Sequence, residues 1–167
     1  MHLIEQELTS SVIGAFFAVH RALGFGFLEH VHAAALEREL LHRGHRVDRE
    51  LNVLVQYAGS DIAHQRLDMV VDDKVVLEIK STEHLHRDAK RQLYNYLRAT
   101  KFEVGLLLHF GRSAKFHRVI CTSRENPRGQ TINSDVRNPR ISAKSVAVSI
   151  RRCRPGRRCR PGGTGRN

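Results

Sequence analysis

Between Arg66 and Lys80 the chain reads R-L-D-M-V-V-D-D-K-V-V-L-E-I-K. Leu67, Met69, Val71, Val75, Leu77 and Ile79 form an apolar set at odd positions. The even positions, Arg66, Asp68, Val70, Val76, Glu78 and Lys80, carry every charge outside the Asp72-Asp73-Lys74 segment. Alternation of this kind predicts two strands, at about 62–71 and 74–80, each with one face on a core. A two-residue turn would pair Val71 with Lys74 and send the two apolar rows to opposite faces. A three-residue loop, Asp72-Asp73-Lys74, pairs Val71 with Val75 and aligns them, and a bulge would serve equally. In that register Asp68 stands opposite Glu78, with Lys80 two residues further along the same face.

Carboxylates directly opposite one another have Cβ atoms about 5 Å apart and destabilise the pair unless something neutralises them. A divalent cation does so, and hard oxygen ligands suit Mg²⁺ or Mn²⁺. Lys80 adds a second positive charge, able to hold a phosphate or a water. The trio therefore fits metal-assisted phosphodiester hydrolysis, the lysine placing water and stabilising developing charge. The same residues also read as a solvated strand face with a lysine–carboxylate pair, and spacing alone leaves both readings open.

The elements that must position these residues follow from periodicity. Ile4, Leu8, Val12, Ala15, Val19 and Leu23 recur at helical spacing, predicting a helix over 3–23 that ends at Gly24-Phe25-Gly26. A second helix spans about 28–43, with Val31, Ala35, Leu36 and Leu40 on one face and Gly44 as its stop. Val47, Leu51, Val53, Val55 and Tyr57 keep period two, so 46–57 reads as a strand, and Ala58-Gly59-Ser60-Asp61 turns the chain. After the two strands already placed, a helix covers about 86–99. Val104–Leu108 is a continuous apolar run, as in a strand buried on both faces. Phe116–Cys121 is a last short strand. This order predicts an α/β sandwich around a mixed sheet.

Charge divides the chain. Its 167 residues carry a formal net charge of +11. Residues 1–120 hold 16 Lys+Arg against 15 Asp+Glu, whereas residues 121–167 hold 12 against 2. The basic character thus belongs to the C-terminal segment, and the expected boundary separates a domain at 1–121 from an Arg-rich, disordered tail at 122–167. The tail repeats R-R-C-R-P-G at Arg151–Gly156 and Arg157–Gly162. It reads as a nucleic-acid arm, an inert solvated tail, or the product of a reading-frame change. The longest apolar run, Val12–Val19, is far short of the roughly 18–20 residues of a membrane span. The start, Met-His-Leu-Ile-Glu-Gln-Glu, does not have the pattern of a secretory signal, and three late cysteines make no disulfide framework. The expectation is a cytoplasmic protein with no membrane partner.

These residues reach a family resemblance. D-x(9)-E-x-K on a hairpin, between helices, resembles the PD-(D/E)XK nuclease superfamily. Gln92-Leu93-Tyr94-Asn95-Tyr96 resembles the Q-x-x-x-Y motif of its RecB-like members. Gly26-Phe27-Leu28-Glu29-His30-Val31-His32 is similar to the G-x-x-E-x-x-Y signature of small bacterial GxxExxY proteins, with His32 at the tyrosine position. Asn95–Thr100 and Val104–Gly111 also match that family's style. The resemblance covers about residues 4–120. It implies a restriction-endonuclease-like αβββαβ core, with a mixed central sheet flanked by helices and an extra N-terminal helix. It also implies a metal-dependent nuclease acting on DNA, or less readily RNA. Asp68 and Glu78 would bind the metal, with the Ile79 carbonyl as a third ligand. Lys80 would be the catalytic lysine, Glu29 a further acidic group at the metal, and Gln92 and Tyr96 helix residues reaching the site. Without the resemblance, Glu29 reads as a favourable acid on a first helical turn and Tyr96 as core packing. His32 either joins the site or caps its rim.

Other chemistries find less in the sequence. His84-x-His86 has no second ligand pair at zinc spacing, and Cys153 and Cys159 are too far apart for a zinc knuckle. An iron–sulfur cluster usually takes four thiolates, and three cysteines are present. Gly24 and Gly26 complete no nucleotide fingerprint. Two alternatives to the enzyme remain: a non-catalytic nucleic-acid-binding or regulatory module that keeps the nuclease fold, and a protein-interaction module whose first sign would be a homodimer through the N-terminal helix.

Overall fold

Apolar side chains three and four apart need a surface to cover, and the sheet supplies it. The computed structural model describes residues 4–57 and 60–122. Leu3, the Ala58-Gly59 turn and the Arg-rich segment beyond Thr122, with its repeat and both its cysteines, lie outside them. Helix α1 (Gln6–Leu23) turns Leu8, Val12, Ala15, Phe16 and Val19 inward. Helix α2 (Glu29–His42) buries His32, Ala33, Leu36 and Leu40. Strands β1 (Val47–Tyr57), β2 (Ser60–Val71) and β3 (Val75–Lys80) form an antiparallel meander. Helix α3 (Ala89–Arg98) then crosses over to β4 (Val104–Phe110), parallel to β3, and β5 (Ala114–Ile120) returns antiparallel. The result is a mixed sheet of order β1-β2-β3-β4-β5. No helix among the described residues is long and apolar enough to cross a membrane.

Two cores sandwich this sheet. On one face α1 and α2 pack against Met69, Val71, Val75, Leu77, Ile79, Leu106, Leu108 and Phe110. On the other, Leu93, Tyr96 and Leu97 of α3 pack against Leu67, Val70, Val76 and Leu107. Every residue of β4 is buried, which is why its sequence is a continuous apolar run. At Gly105 a Cβ would sit 2.8 Å from Leu93 Cδ1, so the close seat of α3 on β4 depends on glycine.

The β2–β3 turn has the expected three-residue loop: Val71 pairs with Val75 and Val70 with Val76. Asp72 and Asp73 take left-handed conformations at φ 51° and 55°, which Asp tolerates better than most residues. The expected apolar row is broken at one place. Leu67 joins the α3 core rather than the α1–α2 core of Met69 and Val71. The break coincides with Glu50 across the ladder, whose φ is 54°. Arg49 pairs with Met69 and Leu51 with Leu67, but the Glu50–Asp68 step between them is unpaired. Strand β1 changes faces there too, with Val47 packed on one core and Leu51 and Val53 on the other. Asp68 therefore sits at a kink.

Candidate active site

Strand parity and the end of a ladder gather the charged groups. The β2–β3 pairing runs to Met69–Leu77. One step on, Asp68 Oδ2 accepts the Ile79 backbone N–H at 2.8 Å, so a side chain takes over where strand pairing stops. Glu78 shares this end of the hairpin with its side chain only 1% exposed. Its Oε1 lies 2.7 Å from Lys80 Nζ, an ion-pair contact without hydrogen-bond alignment, and its Oε2 has no partner. Glu29, the first residue of α2, brings Oε1 to 4.0 Å from Lys80 Nζ. A helix N-terminus favours an acid at that position.

The electrostatics follow from this crowding. Burial, then the neighbouring Asp68 charge, push the Glu78 carboxyl up to about 7, and Glu29 adds to the shift while Lys80 opposes it. Burial works to lower the Lys80 pKa, but its pairing with Glu78 and the charges of Glu29 and Asp68 outweigh burial and raise it. Lys80 is thus held as an ammonium among three carboxylates. Among the described residues, no three His, Cys, Asp or Glu side chains gather tightly enough to hold a metal ion by themselves.

Asp68, Glu78, Lys80 and Glu29 are brought together, along with the Ile79 backbone. No hydrogen bond or ion pair among the described residues joins Gln92 or Tyr96 to these groups. Gln92 Nε2 donates to Tyr96 Oη at 2.6 Å, and both line a neighbouring recess with Gln65, Asp88, Arg91 and Asn95. Tyr96 is also buried in the α3 core. His32 is fully buried: Nε2 bonds the Gly24 carbonyl at 3.0 Å, Nδ1 meets Ser81 Oγ at 3.0 Å, and the ring stacks on Phe110. It ties the α1–α2 connection to the residue after Lys80, a positioning role on the inner side.

Sequence reasoning missed the wall of the site. A cavity of about 120 Å³ is lined by Glu29, His30, Ala33, Arg49, Glu50, Arg66, Asp68 and Ile79. The signal for Glu50 and Arg66 was their proximity to Asp68 in the β1–β2 hairpin, readable only once that register is known.

A second hydrogen-bonded set has a different character. Ser11 Oγ meets His45 Nε2 at 2.7 Å, and His45 Nδ1 meets Asp72 Oδ2 at 2.7 Å. Ser11 lies inside α1, where backbone N–H groups are consumed by the helix and none is free to form an oxyanion hole. The set is a clamp joining α1 to the hairpin turn.

Residues 6–119 match a family model described as the PD-(D/E)XK nuclease superfamily, which covers well over half of the chain. No curated protein and no solved structure matches it.

Proposed function

Since the chain belongs to the PD-(D/E)XK nuclease superfamily, we propose that it is a metal-dependent nuclease of the GxxExxY, RecB-like kind that hydrolyses phosphodiester bonds of DNA. One observation carries the reading: Glu78 is buried beside Asp68 with Oε2 unpartnered and with Lys80 Nζ at 2.7 Å. A buried carboxylate without full compensation is expensive unless it has a task. The donor set is all oxygen, which fits a hard divalent cation. Asp68, Glu78 and the Ile79 carbonyl would hold Mg²⁺ or Mn²⁺, with Glu29 as a further acidic group. Backbone N–H and C=O of one strand residue point to the same side, so the Ile79 carbonyl shares the side on which its N–H meets Asp68. Such an ion, when bound, polarises the phosphoryl oxygen and acidifies a water.

The chain's own groups do the rest. Lys80 presents a fixed ammonium where negative charge develops, and Glu78 and Glu29 orient it. Glu78 must be a carboxylate to serve, the form that a bound cation would favour against the burial that opposes it. Gln92 and Tyr96 bond each other on α3 and line a separate recess. Residues 1–121 form the catalytic unit, in the cytoplasm.

The test is cleavage of single- and double-stranded DNA by the full chain with Mg²⁺, Mn²⁺ or EDTA, beside Lys80→Ala. The expected result is metal-dependent cleavage, with kcat lowered about 100- to 1,000-fold in the variant. No cleavage of any substrate by a folded protein would favour the non-catalytic binding module instead.

A further inference from the structure

The domain is nearly neutral, and many of its cations are already paired. Arg43 is held by Glu39, Arg49 by Glu37, Lys74 by Glu5, Lys101 by Asp73 and Arg112 by Glu83. One group of cations beside Lys80 is different. The parallel β3–β4 register sets Lys80 next to His109, and the antiparallel β4–β5 register sets His109 opposite Lys115. Paired residues on neighbouring strands share a face, so these three basic side chains form one row across three strands. With strands about 4.8 Å apart, the row spans about 10 Å. One step inward, His117 pairs with Leu107, a residue of the α3-side core, which fixes the face as that of α3. Lys90, in the first turn of α3, is near enough for its charge to act on His117.

Lys90 and Lys115 are exposed, and neither has an ion-pair partner among the described residues. His117 reports the consequence. Burial first, then the charges of Lys90, His109 and Lys115, hold its imidazole below its ordinary range, and every charged neighbour acting on it is a base. His109 forms the floor: its Nε2 bonds the Thr82 carbonyl at 2.7 Å, and its buried Nδ1 has no partner. At Gly111 a Cβ would lie 2.6 Å from the His109 ring, so the glycine leaves room for it. Like charges collected without a counter-charge oppose folding, and a polyanion relieves that cost.

We propose that Lys90, Lys115 and His117, over His109, form a phosphate-binding row that carries a nucleic-acid strand from Lys80 across the α3 face of the sheet. The proposal rests on the nuclease reading and adds the direction in which the substrate leaves the site. The row is long enough to meet more than one phosphate of a strand. It gives a near-neutral domain its own local grip on a polyanion, apart from the basic C-terminal segment.

The experiment measures binding, not cleavage. A fluorescent duplex oligonucleotide is titrated with the full chain in EDTA over a series of salt concentrations. The Lys90→Gln/Lys115→Gln double variant is expected to bind at least about tenfold more weakly at 0.1 M salt. Its slope of log K against log salt should be shallower by about 2. Arg21→Gln/Arg38→Gln, with the same change in charge but placed on α1 and α2, should leave the slope unaltered. Imidazole NMR of the wild-type chain should show the His117 midpoint rising when oligonucleotide is bound. Equal losses in the two double variants, absence of binding by the wild type, or an unmoved His117 midpoint in the complex would overturn the row. So would an equal rise with millimolar inorganic phosphate alone, which would mark a free-phosphate site. Row-dependent binding without cleavage would retire the nuclease reading and leave the row standing, and cleavage with equal losses would do the reverse.

Discussion

The two ends of the β2–β3 hairpin both gather carboxylates and treat them in opposite ways. At the turn, Asp72 accepts the Arg46 N–H at 2.7 Å through Oδ1 and meets His45 Nδ1 at 2.7 Å through Oδ2. Burial works against its ionised form, but these hydrogen bonds and the nearby positive charges prevail and lower its pKa. Asp73 is paired with Lys101 at 2.8 Å. At the open end, Glu78 is buried deeper, has one oxygen without a partner, and is pushed up to about 7. Full hydrogen bonding makes a carboxylate a structural brace; burial beside another acid makes it a reactive group, at the expense of stability. The hairpin is anchored at one end so that the other can hold an unfavourable cluster.

The largest effect that sharpens this contrast is Glu78→Gln. The folded pKa of Glu78 lies above its ordinary 4.5, so the folded state binds the proton more tightly than the unfolded one. Stability is then fully present below about 4.5 and falls as pH rises towards 7, by an amount on the order of 3 kcal/mol. In EDTA, urea melts of Glu78→Gln should lose that decline and show a more stable protein than wild type at pH 8. A less stable variant at pH 8 would break the contrast.

Asp72→Asn should act in the other direction and more weakly. Asn tolerates the left-handed backbone, so the change isolates the charge. The lowered pKa of Asp72 contributes stability above its ordinary 3.8, lost as pH falls through the folded value. At pH 7 the loss should be about 1 kcal/mol, shrinking at pH 3. Asp73→Asn, whose partner is half exposed, should change stability by less than about 0.5 kcal/mol.

Much of this hairpin was legible in the sequence. Apolar parity called for a three-residue loop or a bulge, and the loop forms; the Asp68–Glu78 pair implied by that register lies one step beyond the last paired residues, Met69 and Leu77. The burial of β4 on both faces and the helix carrying Glu29 were likewise written in local pattern. What was not legible depends on partners distant in the chain. Leu67 changes core beside Glu50, a residue whose left-handed backbone no local pattern announces. Gln92 and Tyr96 fall at the right helical spacing, but spacing sets a helix face and not its distance from a carboxylate. His32 is buried because Gly24, Ser81 and Phe110 converge on it. The Lys80–His109–Lys115 row exists only through the registers of β3 with β4 and β4 with β5.

The central claim is that the open end, and not the turn, holds the metal and the chemistry. Mn²⁺-dependent cleavage of duplex DNA by Asp68→Asn and Asp72→Asn, each a single carboxylate-to-amide change on the same hairpin, tests it most directly. The account predicts that Asp68→Asn loses cleavage while remaining folded, and that Asp72→Asn keeps the wild-type rate despite its lower stability. Wild-type cleavage by Asp68→Asn, or equal loss in both variants at a temperature where both are folded, would contradict it.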